Sequence, residues 1–207
     1  MAIVINGSGT VTGISVGGLP DGIVDAGTLA TNSVDSAELI DGSIDASHLA
    51  TDVGVITNIQ TWLLTTNLSL TGSSSFATID ANLAVSGLAG YAGIGSLMTE
   101  SSGVFTFPST GIWKIDAIYN FVTSEGYARG QISVTTNNSS YTIIARSATG
   151  TVVEGGEYAT ASMSAIIDVT DTANVKVIFE QGGTTDTLLG SSTLAVTSFT
   201  FTRIGDT

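Results

Sequence analysis

The chain has 207 residues, no cysteine, a single histidine, and 18 acidic against 5 basic side chains, giving a formal net charge of −13 with only 11% charged residues. That length fits one domain of ordinary size plus an appendage. With no thiol and only His48, disulfide frameworks, thiolate zinc sites, Cys nucleophiles and multi-His metal cages are excluded, so neither metal nor cofactor is expected. The negative charge excludes nucleic acid as a partner, because phosphate binding relies on Lys and Arg displacing counterions.

The charge is also uneven. Residues 1–113 hold nine acids and no Lys or Arg, and all five basic residues (Lys114, Arg129, Arg146, Lys176, Arg203) lie beyond. A chain that is 43% hydrophobic with so few charges raises the question of a membrane span. The best stretch, Ala81 to Thr99, is too broken by Gly and polar residues for a transmembrane helix. MAIVINGSG at the N-terminus lacks the basic and apolar regions of a signal peptide. The expectation is therefore a soluble chain with no membrane insertion, one that buries more surface than a single copy can cover.

In chain order, residues 3–20 (IVINGSGTVTGISVGGLP) alternate β-branched runs with Gly and read as two brief strands and turns, marginal in isolation. A ten-residue repeat follows from Asp21 to Ala50: DGIVDAGTLA, TNSVDSAELI, DGSIDASHLA. Val24, Val34 and Ile44 share one column, Asp25, Asp35 and Asp45 the next, and Leu29, Leu39 and Leu49 another. The pattern predicts a short strand, an Asp accepting backbone N–H groups as N-cap, and about one helical turn carrying the Leu. Two apolar anchors per unit cannot bury themselves, so neighbours must stack or other chains must cover them. The spacing of Asp21 and Asp41 does not give the alternating oxygen ligands of a calcium loop. His48 stands in a variable column beside Thr28 and Glu38, as an exposed polar residue does.

From Trp62 onward, apolar residues alternate with Thr and Ser between Gly-marked turns, as in an all-β sandwich or barrel. Asn58 to Leu70 (NIQTWLLTTNLSL) has a start compatible with a helix, but its Thr content favours a strand after Trp62, and it reads as the first strand of the head. In GIWKIDAIYNF, residues Trp113, Ile115, Ala117, Tyr119 and Phe121 fall on one face and Lys114, Asp116 and Asn120 on the other. Further strands are expected at Gln131–Thr135, Tyr141–Arg146, Ser162–Val169, Asn174–Glu180 and Leu194–Arg203, the last placing Phe199 and Phe201 together on one face.

Three of these stretches carry a resemblance. SSGVFTFPSTGIWKIDAIYNF (Ser101 to Phe121), SAIIDVTDTANVKVIFEQ (Ser164 to Gln181) and STLAVTSFTFTRIG (Ser192 to Gly205) resemble the trimeric complement-q-type globular head, a jelly roll shared with tumour necrosis factor. The matching elements are an aromatic before Pro-x-x-Gly and an aromatic-rich strand, a D-V-x-D-x-x-x-V strand pair, and a terminal aromatic strand. The N-terminal third, with GSGTVTGISVGGLPDG and then short Val-Asp-x-x-x-Leu units, is similar to bacteriophage virion fibres. Together these imply an all-β homotrimer: a Gly-rich virion-anchoring segment (1–20), a decapeptide-repeat stalk (21–53), a linker (54–61) and a jelly-roll sandwich head (62–207). The implied role is that of a non-enzymatic structural virion protein on the tail, neck or capsid. Its N-terminus would bind other virion proteins, and its head would bind a host-surface glycan or protein or decorate the particle. A secreted complement-q-like adhesive protein is the alternative, and a glycan-cleaving fibre a third. A homotrimer agrees with the residues themselves, since other chains would cover the two anchors of each repeat, with the Asp column facing water.

Catalysis by a glycosidase would need two carboxylates about 5 to 10 Å apart across one cleft. Glu154 with Glu157 and Asp168 with Asp171 are candidate pairs, and both read as solvated loop acids. A Ser–His–Asp triad would have to recruit His48 from the stalk. Gly90 to Gly95 lacks the strand-to-helix context and the Lys of a nucleotide loop. The Asn-x-Ser/Thr triplets at Asn67 and Asn137 carry weight only in a secreted eukaryotic protein. No catalytic residue is assigned. Recognition is expected on loops at one end of the head, namely Thr123–Arg129, Asn137–Tyr141 and Gly150–Tyr158. Tyr127, Arg129, Tyr141 and Tyr158 are the candidate receptor contacts, because exposed Tyr and Arg anchor sugars and protein surfaces well.

Overall fold

A computed structural model describes residues 56–69, 73–91, 93–123, 127–150, 157–183 and 187–207. The expected anchor (1–20) and repeat stalk (21–53), with Asp25, Asp35, Asp45 and His48, lie outside these residues, as do Glu154 and most of the expected loop Gly150–Tyr158. The described residues contain strands and no helix: β1 (Asn58–Leu64), β2 (Leu68–Ser69), β3 (Ser73–Thr78), β4 (Leu83–Val85), β5 (Thr99–Ser101), β6 (Val104–Thr106), β7 (Gly111–Thr123), β8 (Tyr127–Thr135), β9 (Thr142–Gly150), β10 (Glu157–Val169), β11 (Lys176–Gly183), β12 (Thr187–Leu188) and β13 (Ser198–Gly205).

They form two antiparallel sheets. In the first, β10 pairs with β7 along its whole length from Gly111 to Thr123. The other edge of β7 is shared by β13, opposite Ile112 to Ile118, and β12, opposite Phe121 and Val122. β13 is followed outward by β1 and β4, and β12 by β2. The second sheet runs β5–β6–β11–β8–β9, with β3 on β11. Register defines two ends. Asn58, Gly111, Thr135, Val169 and Arg203 mark the end at which the chain enters β1, and Thr123, Tyr127, Gly150 and Gly183 mark the far end.

Period-two alternation builds the core. Trp113, Ile115, Ala117, Tyr119 and Phe121 of β7 are each at most 1% exposed, as the sequence pattern requires. Phe199 and Phe201 of β13 join them from the same sheet. Across the gap, the Phe179 and Phe199 rings stack at 3.9 Å, while Phe105 meets Trp62 and Phe179 edge-on at 5.3 and 5.2 Å. Burial of each such ring contributes about 1.5–3 kcal/mol. Tyr119 lies in this layer with its hydroxyl donating to the Gln131 carbonyl at 2.9 Å.

Several strand boundaries differ from the expectation. β1 starts at Asn58, so residues 58–61, read as linker, are already paired with β13. β8 reaches back to Tyr127 and β10 to Glu157, each extended by a continuous partner strand. β13 begins only at Ser198. The residues before it form a loop held by Asn120, whose Nδ2 donates to Val196 O at 2.5 Å and whose backbone N–H donates to Thr197 Oγ1 at 3.1 Å. Within Ala81–Thr99 lie β4 and turns with Gly90 and Gly95 at positive φ, and no helix among the described residues is long and apolar enough to cross a membrane.

Candidate functional site

The outer face of the second sheet, at the far end, gathers an aromatic and guanidinium cluster. Register sets Arg129 of β8 opposite Gly182 of β11 and Ala148 of β9, and sets Gln131 opposite Glu180 and Arg146. A bulge in the β3–β11 ladder between Gln181 and Gly183 brings Phe76 alongside Gly182. A Cβ at position 182 would lie 3.2 Å from Ser75 O and 3.4 Å from the Phe76 ring, so glycine here accommodates the close approach of the β3 backbone, with Phe76 packed directly over it. The guanidinium carbons of Arg129 and Arg146 each stand 4.6 Å from the Phe76 ring centroid, and that of Arg129 also stands 4.5 Å from the ring of Tyr127.

Neutral groups fix Arg146. Its Nε and Nη2 donate to Gln131 Oε1 at 3.0 and 2.7 Å, and Gln131 Nε2 donates to Glu180 Oε2 at 2.7 Å. Ser133 Oγ donates to the same carboxylate oxygen at 2.5 Å. Gln131 and Ser133 are buried beneath this arrangement although they lie on the outer face. Elsewhere, Lys114 is paired with Asp116 at 2.7 Å, Arg203 with Asp206, and Lys176 donates to Thr172 O while its charge acts on Asp171. Among the described residues Arg146 has no ion pair, and it is exposed. A cleft of about 330 Å³ opens beside Phe76, walled by Leu68 and Ser69 of β2, Thr78, Asp80 and Gln181.

The four expected contacts fall in three places. Tyr127 and Arg129 meet in this cluster, on β8 rather than on a loop. Tyr158 is 82% exposed on β10, on the outer face of the other sheet. Tyr141 precedes β9 near the entry end, half-buried, and burial raises its phenol above the ordinary range. Phe76 and Arg146 were missed. Phe76 sits in SSSFAT, whose serines mask a strand, and only the pairing of β9 with β8 brings Arg146 near it.

Of the two carboxylate pairs, Glu154 with Glu157 reaches outside the described residues, and in the other Asp171 serves local structure. Asp171 accepts from Ala173 N–H at 2.7 Å and Asn174 Nδ2 at 2.6 Å, and these bonds hold its carboxyl below the usual range as a turn cap. Asp168 lies exposed on β10. Asn137, likewise, folds its own loop by accepting the backbone N–H groups of Ser139 and Ser140, each at 3.0 Å. No group of three His, Cys, Asp or Glu side chains suited to a metal occurs among the described residues.

No family model and no curated protein matches the chain. Solved structures do match. Murine APRIL, crystallised at pH 5.0, has 8% identity over 70% of this chain and 98% of its own, with a TM-score of 0.53. The tumour necrosis factor Eiger from S. frugiperda has 9% identity over 74% of this chain and 96% of its own, with a TM-score of 0.56. At such identities the likeness bears on fold alone, and the fold is the expected one: an all-β jelly-roll sandwich like that of tumour necrosis factor.

Proposed function

We propose that the chain is a non-enzymatic, homotrimeric appendage of a phage particle, attached through its N-terminal segment and carrying a jelly-roll head that binds the host surface or decorates the particle. The observation that carries this reading is the outer face of the first sheet. Lys114 and Asp116 neutralise each other there, Asp168 is the one further charge among the described residues of the face, and most surrounding positions are Ser and Thr, with Ile118 42% and Ile166 64% exposed. Such a face, apolar and almost free of net charge in a chain of −13, fits burial against further copies of the same chain. The heads that the sequence resembles are trimeric, and the tumour-necrosis-factor-like fold supports the same arrangement.

The position of the cluster around Phe76 supports a binding role. It lies at the far end of the sandwich from Asn58, where the chain enters the head. Three copies of a weak site joined in one trimer give avidity through effective concentration. Two measurements test the proposal: light scattering of the purified chain, where a trimer is expected and a monomer at micromolar concentration overturns the assembly, and mass spectrometry of purified particles, where the chain's absence overturns the virion role.

A further inference from the structure

Gln181 is a polar residue in an apolar row. On β11, Val177 and Phe179 are fully buried in the core, and alternation puts Gln181 on the same face, at the far end of the strand. It is 7% exposed, and its amide oxygen has no hydrogen-bond partner among the described residues. A buried acceptor without a donor is costly, and an apolar side chain of the same shape would remove that cost. Gln181 is also a wall of the cleft of about 330 Å³, which opens on the flank where β2 of the first sheet and β3 of the second are terminal strands. The donor that the amide lacks inside the protein can therefore come from the cleft. The terminal torsion of a glutamine is soft, so the oxygen can turn to meet it.

We propose that this cleft binds an uncharged saccharide unit, whose hydroxyls donate to Gln181 and Asp80. The inference rests on the reading of the head as a binding module and names the ligand class of its far end. The rest of the wall has the mixed character that a sugar ring requires: hydroxyls from Ser69 and Thr78, and apolar surface from Leu68 and Phe76. Its volume lies near the lower bound of about 300 Å³ for small-molecule sites, which suits one ring. None of the described residues that wall the cleft is basic, so an acid would meet Asp80 with nothing to offset the repulsion. An ammonium gains little, because Asp80 is exposed and its charge is screened by water and salt. The acceptors of this wall thus select a ligand for its donors and not for its charge.

The test is ligand-observed NMR of the full-length protein with glucose, galactose and mannose, and with the 2-amino sugar and uronate matching whichever binds, in wild type, Gln181→Leu and Asp80→Asn. At least one neutral sugar is expected to bind, more tightly than its uronate and no more weakly than its amino sugar. Q181L removes an unpaired buried acceptor, so its urea midpoint should equal or exceed that of wild type. It should nevertheless weaken the sugar about fivefold, the worth of one neutral hydrogen bond. Failure of all three neutral sugars overturns the proposal, as does a uronate that binds as tightly as its neutral parent. An amino sugar that binds more tightly than its parent, and loses that advantage in D80N, makes this a cation site and overturns it too. Unchanged sugar binding in Q181L, or a lowered urea midpoint, overturns the role given to the amide. Particles that contain the chain but whose head ignores neutral sugars refute the ligand and leave the appendage standing. A chain absent from particles but binding a neutral sugar through Gln181 refutes the appendage and leaves the site.

Discussion

Gly130 is set by a contact, not by a turn. A Cβ there would lie 2.6 Å from two ring carbons of Tyr119, which is fully buried and cannot retreat. Gly130→Ala is expected to cost about 1–3 kcal/mol as overpacking, read as a lowered urea midpoint with an unchanged slope. Tyr119 carries a pH signature as well. Burial, and secondarily the charge of Glu180, raises its phenol well above its ordinary value. The unfolded chain ionises this phenol near pH 10 and the folded one resists. Stability from this group is therefore intact below about pH 10 and lost as pH rises further. Tyr119→Phe should flatten that alkaline decline, measured by urea midpoints from about pH 8 to about pH 11, at a cost of about 1 kcal/mol for the lost bond to Gln131 O. Asp171 has the opposite sign. Its lowered pKa means that its contribution is present above the ordinary carboxylate range and lost as pH falls through it.

Among the strands, β7 was legible because five inward residues alternate without interruption, so its dry face follows from the sequence alone. β3 was not. Its serines look like a loop, and what makes it a strand is the free edge of β11. The same cause lengthens β8 and β10: a partner strand supplies hydrogen bonds beyond the point where the apolar pattern fades, which turned the expected loop positions Tyr127, Arg129 and Tyr158 into strand positions. Half of the candidate site was readable for that reason. Tyr127 and Arg129 stand close in sequence, whereas Phe76 and Arg146 reach them only through pairings between distant segments. The inter-sheet contact should dominate stability: Phe179→Ala, which empties the stack against Phe199, is expected to cost about 3–5 kcal/mol, whereas Tyr127→Ala at the exposed cluster should stay within about 0.5 kcal/mol. Thermal or urea denaturation of the two variants checks the contrast.

For the molecule as a whole, the exposed isoleucines of the first sheet are the positions to test. Ile118→Asp places a charge beside Asp116 on the face assigned to chain-to-chain contact and should convert a trimer to monomers in light scattering with the circular dichroism unchanged, since Ile118 lies outside the core. The ladder of β1 and β13 has a further, mechanical consequence. The chain enters the head at Asn58, opposite Arg203, and β1 then runs toward the end where Phe76, Tyr127 and Arg129 cluster. A load applied between the N-terminal side and a ligand held at that cluster is directed along the strands. Antiparallel hydrogen bonds lie across the strand axis, so such a pull shears the rungs between β1 and its two neighbours together and cannot unzip them singly. A pull along β1 between Asn58 and the far end of the sandwich therefore loads these rungs in shear, the geometry that best withstands tension.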